Sequence, residues 1–233
     1  MELEQFAYIA SHDLKEPLRK IRTFGDRLTA LIPANGNEKA VDFVTRMQSA
    51  AERMQKLIDD LLRFSRISRS EKEYHQVNLN EVLAECLDNL EIEIEKKDAH
   101  ITYDQLPEVQ GDKVQLLQLF QNLISNSLKY AKDGVAPEIN IALGSVRKNH
   151  SRELLATNYW QISFKDNGIG FDPEYKEKIF EIFQRLHGRT QYEGTGIGLA
   201  ICEKIVLNHG GMIVADAIPG DGATFDVLLP KGA

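Results

Sequence analysis

Apolar residues recur at steps of three and four from Leu3 to Ile32, and a second such seam runs from Val41 to Ser65. The first run passes through Ala7, Ala10, Leu14, Leu18, Ile21, Phe24 and Leu28, and the second through Val44, Met47, Ala51, Met54, Ile58 and Leu61. This spacing is a heptad seam, one apolar stripe along an α-helix. Between the runs, Pro33-Ala34-Asn35-Gly36-Asn37 is dense in turn formers, so the two helices fold back as an antiparallel hairpin. Each helix is about 45 Å long at about 1.5 Å per residue, and a lone pair leaves one side of its seams in water. Pairing of two copies into a dimeric four-helix bundle removes that exposure; a plain coiled-coil spacer has the same periodicity.

Around Ser65 to Gln76 the seam gives way to Ser, Arg, Lys and Glu, the composition of a linker. The expected division is a helical hairpin over 1–68, a linker over 69–77 and a second domain over 78–233. In that domain the patterns alternate. Helices are expected over Leu79 to Lys97, Lys113 to Ala131, Glu177 to Leu186 and Gly198 to His209. Strands are expected over His100 to Asp104, Glu138 to Val146 and Tyr159 to Lys165, followed by a hairpin of Met212 to Ala217 and Ala223 to Leu229 around Pro219-Gly220-Asp221-Gly222. The order implies an α+β chain, a helical hairpin followed by an α/β sandwich in which helices cover one face of a mixed sheet.

Composition excludes some partners. With 28 Lys and Arg against 35 Asp and Glu the net charge is −7, so no nucleic-acid partner is expected, since neutralising phosphates needs a clustered basic excess. No apolar run approaches the roughly 20 residues that cross a bilayer, and the N-terminus lacks a basic-then-apolar leader, so no membrane contact within this chain and a cytoplasmic location are expected. Cys86 and Cys202 lie far apart in apolar helical stretches, as reduced structural thiols do.

His12 falls two residues past Ala10, which turns it about 200° from the seam, onto the solvent face. The adjoining Asp13 can orient the ring and accept a proton, leaving one nitrogen free to attack an electrophile. A surface His beside an Asp is also ordinary composition. The surrounding string FAYIASHDLKEPL, residues 6–18, resembles the H-box of histidine kinases. The resemblance implies that His12 accepts a phosphoryl group and that Asp13 is the general base. Glu16 departs from the pattern: many members carry Thr or Asn there, positioning the water that removes phosphate from the partner. A carboxylate repels a phospho-aspartate, so weak phosphatase activity is expected.

A second constellation lies in QLFQNLISNSLKYA, residues 118–131, where Asn122, Asn126 and Lys129 share a helix face and Tyr130 follows. An Asn amide oxygen suits Mg²⁺ and a Lys ammonium suits phosphate, although a solvated polar face has the same spacing. Asp166-Asn167-Gly168-Ile169-Gly170 ends a strand, and Gly194-Thr195-Gly196-Ile197-Gly198-Leu199 opens a helix. A glycine-rich turn at a helix N-terminus exposes backbone donors to anions, and a buried Asp can accept from an exocyclic amine.

In this order the three strings resemble the N, G1 and G2 boxes of the Bergerat nucleotide-binding fold of histidine kinases, gyrase-type ATPases, a chaperone family and mismatch-repair ATPases. The resemblance implies that Asn126 ligates Mg²⁺ with Asn122 in support, that Lys129 and Tyr130 contact phosphate, and that Asp166 anchors adenine. It gives Gly168 and Gly170 a close approach to the base, and Gly194, Gly196, Gly198 and Leu199 the phosphate-binding end of a lid. Ile179-Phe180-Glu181-Ile182-Phe183-Gln184-Arg185 resembles the F-box, with Arg185 reaching the γ-phosphate, and Thr224 is expected to contact adenine through water.

The chain thus resembles a sensor histidine kinase core that uses ATP and Mg²⁺ to phosphorylate His12. The group then passes to an aspartate of a response regulator receiver domain. The core is expected to be a homodimer, with any sensor domain lying upstream of this chain. A clamp-type ATPase that never phosphorylates itself, and a non-catalytic dimeric scaffold, are the alternatives.

Overall fold

The computed structural model describes residues 18–29, 38–67, 74–144, 158–184, 186 and 195–231. The chain divides into two compact units, Met1–Arg69 and Ser70–Ala233. In the first, α1 (residues 18–29) packs against α2 (Glu38–Ile67). Val44, Ala51 and Ile58 recur every seven residues and are buried, and Leu18, Ala51, Ile58 and Leu62 form one cluster. Gly25 lies against the side chain of Gln48, whose amide donates to Asp26 Oδ1 at 2.6 Å. The other half of the seam stays open within this chain, with Met47 42% and Met54 46% exposed. The H-box residues His12, Asp13 and Glu16 and the turn at 33–37 lie outside the described residues.

The second unit opens with β1 (His75–Asn78), whose last residue caps α3 (Leu79–Asn89): Asn78 Oδ1 accepts from the Asn80 N–H at 2.9 Å. α4 (Glu91–Lys96), β2 (His100–Tyr103) and β3 (Glu108–Gly111) follow. Asp112 then caps α5 (Lys113–Lys129), its Oδ1 accepting from the N–H groups of Val114 and Gln115. β4 (Glu138–Gly144), β5 (Tyr159–Asp166), α6 (Gly198–Asn208), β6 (Met212–Ile218) and β7 (Gly222–Pro230) complete the unit.

The main sheet has the order β2-β4-β5-β7-β6, with β2 parallel to β4 and every other pair antiparallel. Alternation gives it one apolar face, carrying Ile139, Ile141, Ile162, Phe164 and Val227. On that face pack Leu79, Leu83 and Cys86 of α3, Leu116, Leu119, Phe120 and Leu123 of α5, and Ile201 and Ile205 of α6, all essentially inaccessible to solvent. Phe120 meets Phe164 edge to face, with ring centroids 5.1 Å apart. His209, just past α6, is buried and stacked on Tyr74; its Nε2 accepts from the Asp112 N–H, so Nδ1 carries the proton directed at the Ile205 carbonyl.

Several sequence expectations need correction. The helix expected over Leu79 to Lys97 is two helices, broken at Leu90, where the backbone leaves helical geometry (φ −107°, ψ 6°). The alternating Glu-Ile-Glu-Ile-Glu of α4 carries no buried residue, so no core face holds it in line with α3. The span read as a linker over 69–77 overlaps β1, which pairs antiparallel with β3 in a two-stranded sheet; the sequence reading assigned neither strand. The helix expected over Glu177 to Leu186 reduces to a 3₁₀ turn at Lys178–Phe180. Phe183 has a φ of +68° and directs its N–H to the Gly196 carbonyl at 3.0 Å, which ends any helical path.

Candidate functional site

A pocket opens in the second unit, lined by residues from every motif string of that unit. Asn126 and Tyr130 come from the end of α5, Asp166 and Gly170 from the end of β5 and its loop, Ile179 and Gln184 from the segment around the 3₁₀ turn, and Leu199 from the start of α6. Ala223 and Phe225 of β7 also line it.

Asp166 is 8% exposed and its partners are protein donors. Its Oδ1 accepts from the N–H groups of Gly168 at 2.9 Å and Ala223 at 3.1 Å, and its Oδ2 lies 3.1 Å from Ser127 Oγ. Burial holds the Asp166 carboxyl above the usual carboxylate range, against the opposing pull of these donors and of the Lys132 charge. Ser127 was not among the expected site residues, because a Ser inside an amphipathic helix carries no signal of its own. Ala223 and Phe225 were likewise missed, being apolar residues of a strand pattern that the core already explains, and Phe171 and Leu186 are apolar loop residues with no pattern to mark them.

Local packing accounts for the glycines. A β-carbon on Gly168 would crowd the Tyr130 carbonyl, and one on Gly170 (φ +62°) would overlap the Ile218 carbonyl. The close approach these residues permit in the structure is to the end of α5 and to the β6–β7 turn, whereas the sequence resemblance implies a close approach to the base. The Ile169 N–H donates to the Tyr130 carbonyl at 2.9 Å, and the Gly220 N–H to the Ile169 carbonyl at 2.7 Å. Gly196 (φ +75°) sits against the backbone of Phe183 and Gln184.

α6 starts at Gly198 with Ile197 at its N-cap, which supplies no side-chain acceptor, so the first turn offers backbone donors where Leu199 borders the pocket. Asn122 reaches toward this end, its Nδ2 3.4 Å from the Gly198 carbonyl. Lys129 folds back on its neighbour: Nζ donates to the Tyr130 hydroxyl at 2.9 Å and lies 4.4 Å from the ring centroid. Arg185 and Gly194 lie outside the described residues. Thr224 does not meet its expectation. Its neighbours Ala223 and Phe225 line the pocket, so strand alternation turns Thr224 to the opposite face of the sheet, in register between Lys165 and Asp216.

For Mg²⁺, the pocket lining offers the amide oxygens of Asn126 and Gln184, and among the described residues no cluster of three or more His, Cys, Asp or Glu forms a metal site. This fits an ion that takes one or two protein ligands and otherwise keeps waters and phosphate oxygens.

The sheet, the helical layer and the pocket at the ends of α5 and β5 define a nucleotide-site domain of the ATPase type. Residues 111–233 match the family described as histidine kinase-, DNA gyrase B-, and HSP90-like ATPase, and residues 2–70 match the His Kinase A (phospho-acceptor) domain. The phytochrome-like protein Cph1 of Synechocystis is 40% identical over 231 residues, covering 99% of this chain and 29% of that protein. The sensor histidine kinase WalK of Bacillus subtilis is 33% identical over 240 residues, covering 98% of this chain and 37% of that protein. Among solved structures, full-length ShkA in complex with AMPPNP shares the fold with a TM-score of 0.70 at 21% identity, covering 98% of this chain and 46% of that one. The histidine kinase ThkA in complex with the response regulator protein TrrA gives 0.64 at 22% identity, covering 98% and 61%. The chain belongs to the histidine kinase family, as a phospho-acceptor helical hairpin followed by an ATPase-type domain. It spans under a third of the length of the phytochrome relative, 29%.

Proposed function

We propose that this chain is the core of a two-component sensor histidine kinase: it binds ATP in the second unit, phosphorylates its own His12 and hands the group to an aspartate of a response regulator receiver domain. The observation that carries this reading is the convergence of Asn126, Tyr130, Asp166, Gly170 and Leu199, from three separate stretches of sequence, around one pocket. The carboxylate of Asp166 anchors adenine through the exocyclic amine, and the apolar walls from Ile179 and Phe225 take the ring. The N-terminus of α6 faces the phosphates with Gly194, Gly196 and Gly198, while Lys129, Tyr130 and Arg185 supply charge and donors. Lys129 leaves Tyr130 to do so. Asn126, supported by Asn122, would hold Mg²⁺, which would supply charge neutralisation to the phosphates.

A nitrogen of His12 forms the N–P bond as the bond from the γ-phosphorus to the bridging oxygen breaks, and ADP leaves with that electron pair. Asp13 holds the proton of the other ring nitrogen. The division into a hairpin (1–68), a linker that ends before β1 at His75 and a nucleotide domain from β1 onward separates acceptor from donor. Two chains pair through the seam residues that stay open on the hairpin, Met47 and Met54 among them, as a four-helix bundle. ATP and a receiver-domain partner place the reaction in the cytoplasm. Glu16 keeps phosphatase activity toward the partner weak, and Glu16→Thr raises it.

The test is transfer. Protein loaded from radiolabelled ATP passes its label to an added receiver domain, and Asp166→Asn protein, with its fold retained, neither binds nucleotide nor loads. Unaltered nucleotide affinity in that variant contradicts the reading.

A further inference from the structure

A carboxylate has about four lone-pair directions, two on each oxygen. On Asp166 the Oδ1 pair is taken by the N–H groups of Gly168 and Ala223, and one direction on Oδ2 is taken by Ser127 Oγ. One acceptor direction, on Oδ2, remains for the pocket that Asp166 lines. Ser127 is 3% exposed, and its single hydroxyl proton has two candidate acceptors, Asp166 Oδ2 at 3.1 Å and the Leu123 carbonyl at 3.2 Å.

This geometry sets two states. With the carboxylate ionised, the hydroxyl donates to Oδ2 and the remaining direction accepts from a ligand. With the carboxyl protonated, the proton sits on Oδ2, because Oδ1 already faces two N–H donors. It then either points at Ser127 Oγ, whose own proton turns to Leu123, or points into the pocket as a donor. Burial favours the neutral form, so the Ser127 proton counts toward keeping the group an acceptor.

Resting on the reading of Asp166 as the adenine anchor, we propose that Ser127 is a positioning residue that determines base specificity. Its hydroxyl holds the Asp166 carboxylate as an acceptor toward the 6-amino group of a purine. The ligand class selected is a 6-aminopurine nucleotide over purines that lack the amine.

The experiment is a cycle of protein and ligand. Dissociation constants are measured for ATP and for purine riboside 5′-triphosphate, which lacks the 6-amino group, on the whole chain and on Ser127→Ala and Ser127→Cys. Cysteine is close to serine in shape, somewhat larger, and donates only weakly. The parent chain is expected to bind ATP at least about tenfold more tightly than the purine analogue. Both variants are expected to lose most of that ratio by weakening toward ATP while their affinity for the analogue holds within about twofold. If Ser127→Ala does not fold, the Ser127→Cys ratio decides. Equal affinity of the parent for the two nucleotides overturns the Asp166 reading and this inference with it. Discrimination by the parent that persists undiminished in the variants, or an equal loss toward both nucleotides, overturns the role of Ser127 alone.

Discussion

Gly222 lies so close to the backbone oxygen of Asp166 that a β-carbon would overlap it, and its φ of +105° is one that L side chains rarely adopt. The residue after it, Ala223, donates its N–H to Asp166 Oδ1. The β6–β7 turn is therefore the template against which the end of β5 is set, and a substitution there acts on the pocket through the backbone. Gly222→Ala is expected to cost about 1–3 kcal/mol of stability from the strained φ alone and to lower affinity for an ATP analogue at least about tenfold, with the far-ultraviolet circular dichroism retained. Unchanged affinity by calorimetric titration would refute this coupling.

Burial raises the Asp166 carboxyl, and the sign of its pH dependence follows. Because the folded value lies above the unfolded one, the native apo-protein binds the extra proton between them. This group's contribution to stability is full below the unfolded value and is lost as pH rises through the folded one. Nucleotide affinity runs the other way, weakening as pH falls through the same folded value, because an acceptor is needed. The ATP-analogue affinity of the parent, and the difference in urea midpoint between the parent and Asp166→Asn, should change with pH in opposite directions. Parallel slopes would contradict the assignment.

Cys86 and Cys202 are both buried, and burial pushes each thiol up to about 12. Thiolate at neutral pH is negligible, and reagent access requires opening of the core. Neither thiol is expected to react with Ellman's reagent in the native protein over minutes, and both react in denaturant. Prompt release of one equivalent from folded protein would show that one of these helix faces is open.

The edge-to-face pair of Phe120 and Phe164 joins α5 to the sheet at the centre of the second unit, where both rings are essentially inaccessible. Phe120→Ala removes that contact and leaves a cavity, with an expected loss of about 3–5 kcal/mol in urea unfolding of the nucleotide domain. A loss below about 1 kcal/mol would mean that the core collapses around the gap.

The sequence was most legible where chemistry and periodicity coincide. The heptad steps located α2, and the glycine strings located the pocket, because Asp166, Gly168 and Gly170 are needed for reasons that leave a fixed spacing. Legibility failed where a tertiary partner decides the conformation. β1 and β3 are short strands that exist only by pairing with each other, one of them inside a polar stretch. The segment Ile179 to Phe183 has helical spacing, yet Phe183 gives its N–H to Gly196, a bond no local pattern reports. Thr224 was placed by its string, whereas strand register turns the neighbouring Ala223 toward the pocket. Ser127 was invisible because its significance lies in the carboxylate 39 positions away.

The central claim is that His12 receives the phosphoryl group of a nucleotide bound beside Asp166. It is tested most directly by incubating the protein with γ-³²P-ATP and Mg²⁺ and measuring the label bound and its chemical stability. The account predicts label that is lost in acid and kept in alkali, as a phosphoramidate is, and that is absent from His12→Gln protein which still binds nucleotide. Label of the same stability persisting in that variant would contradict it.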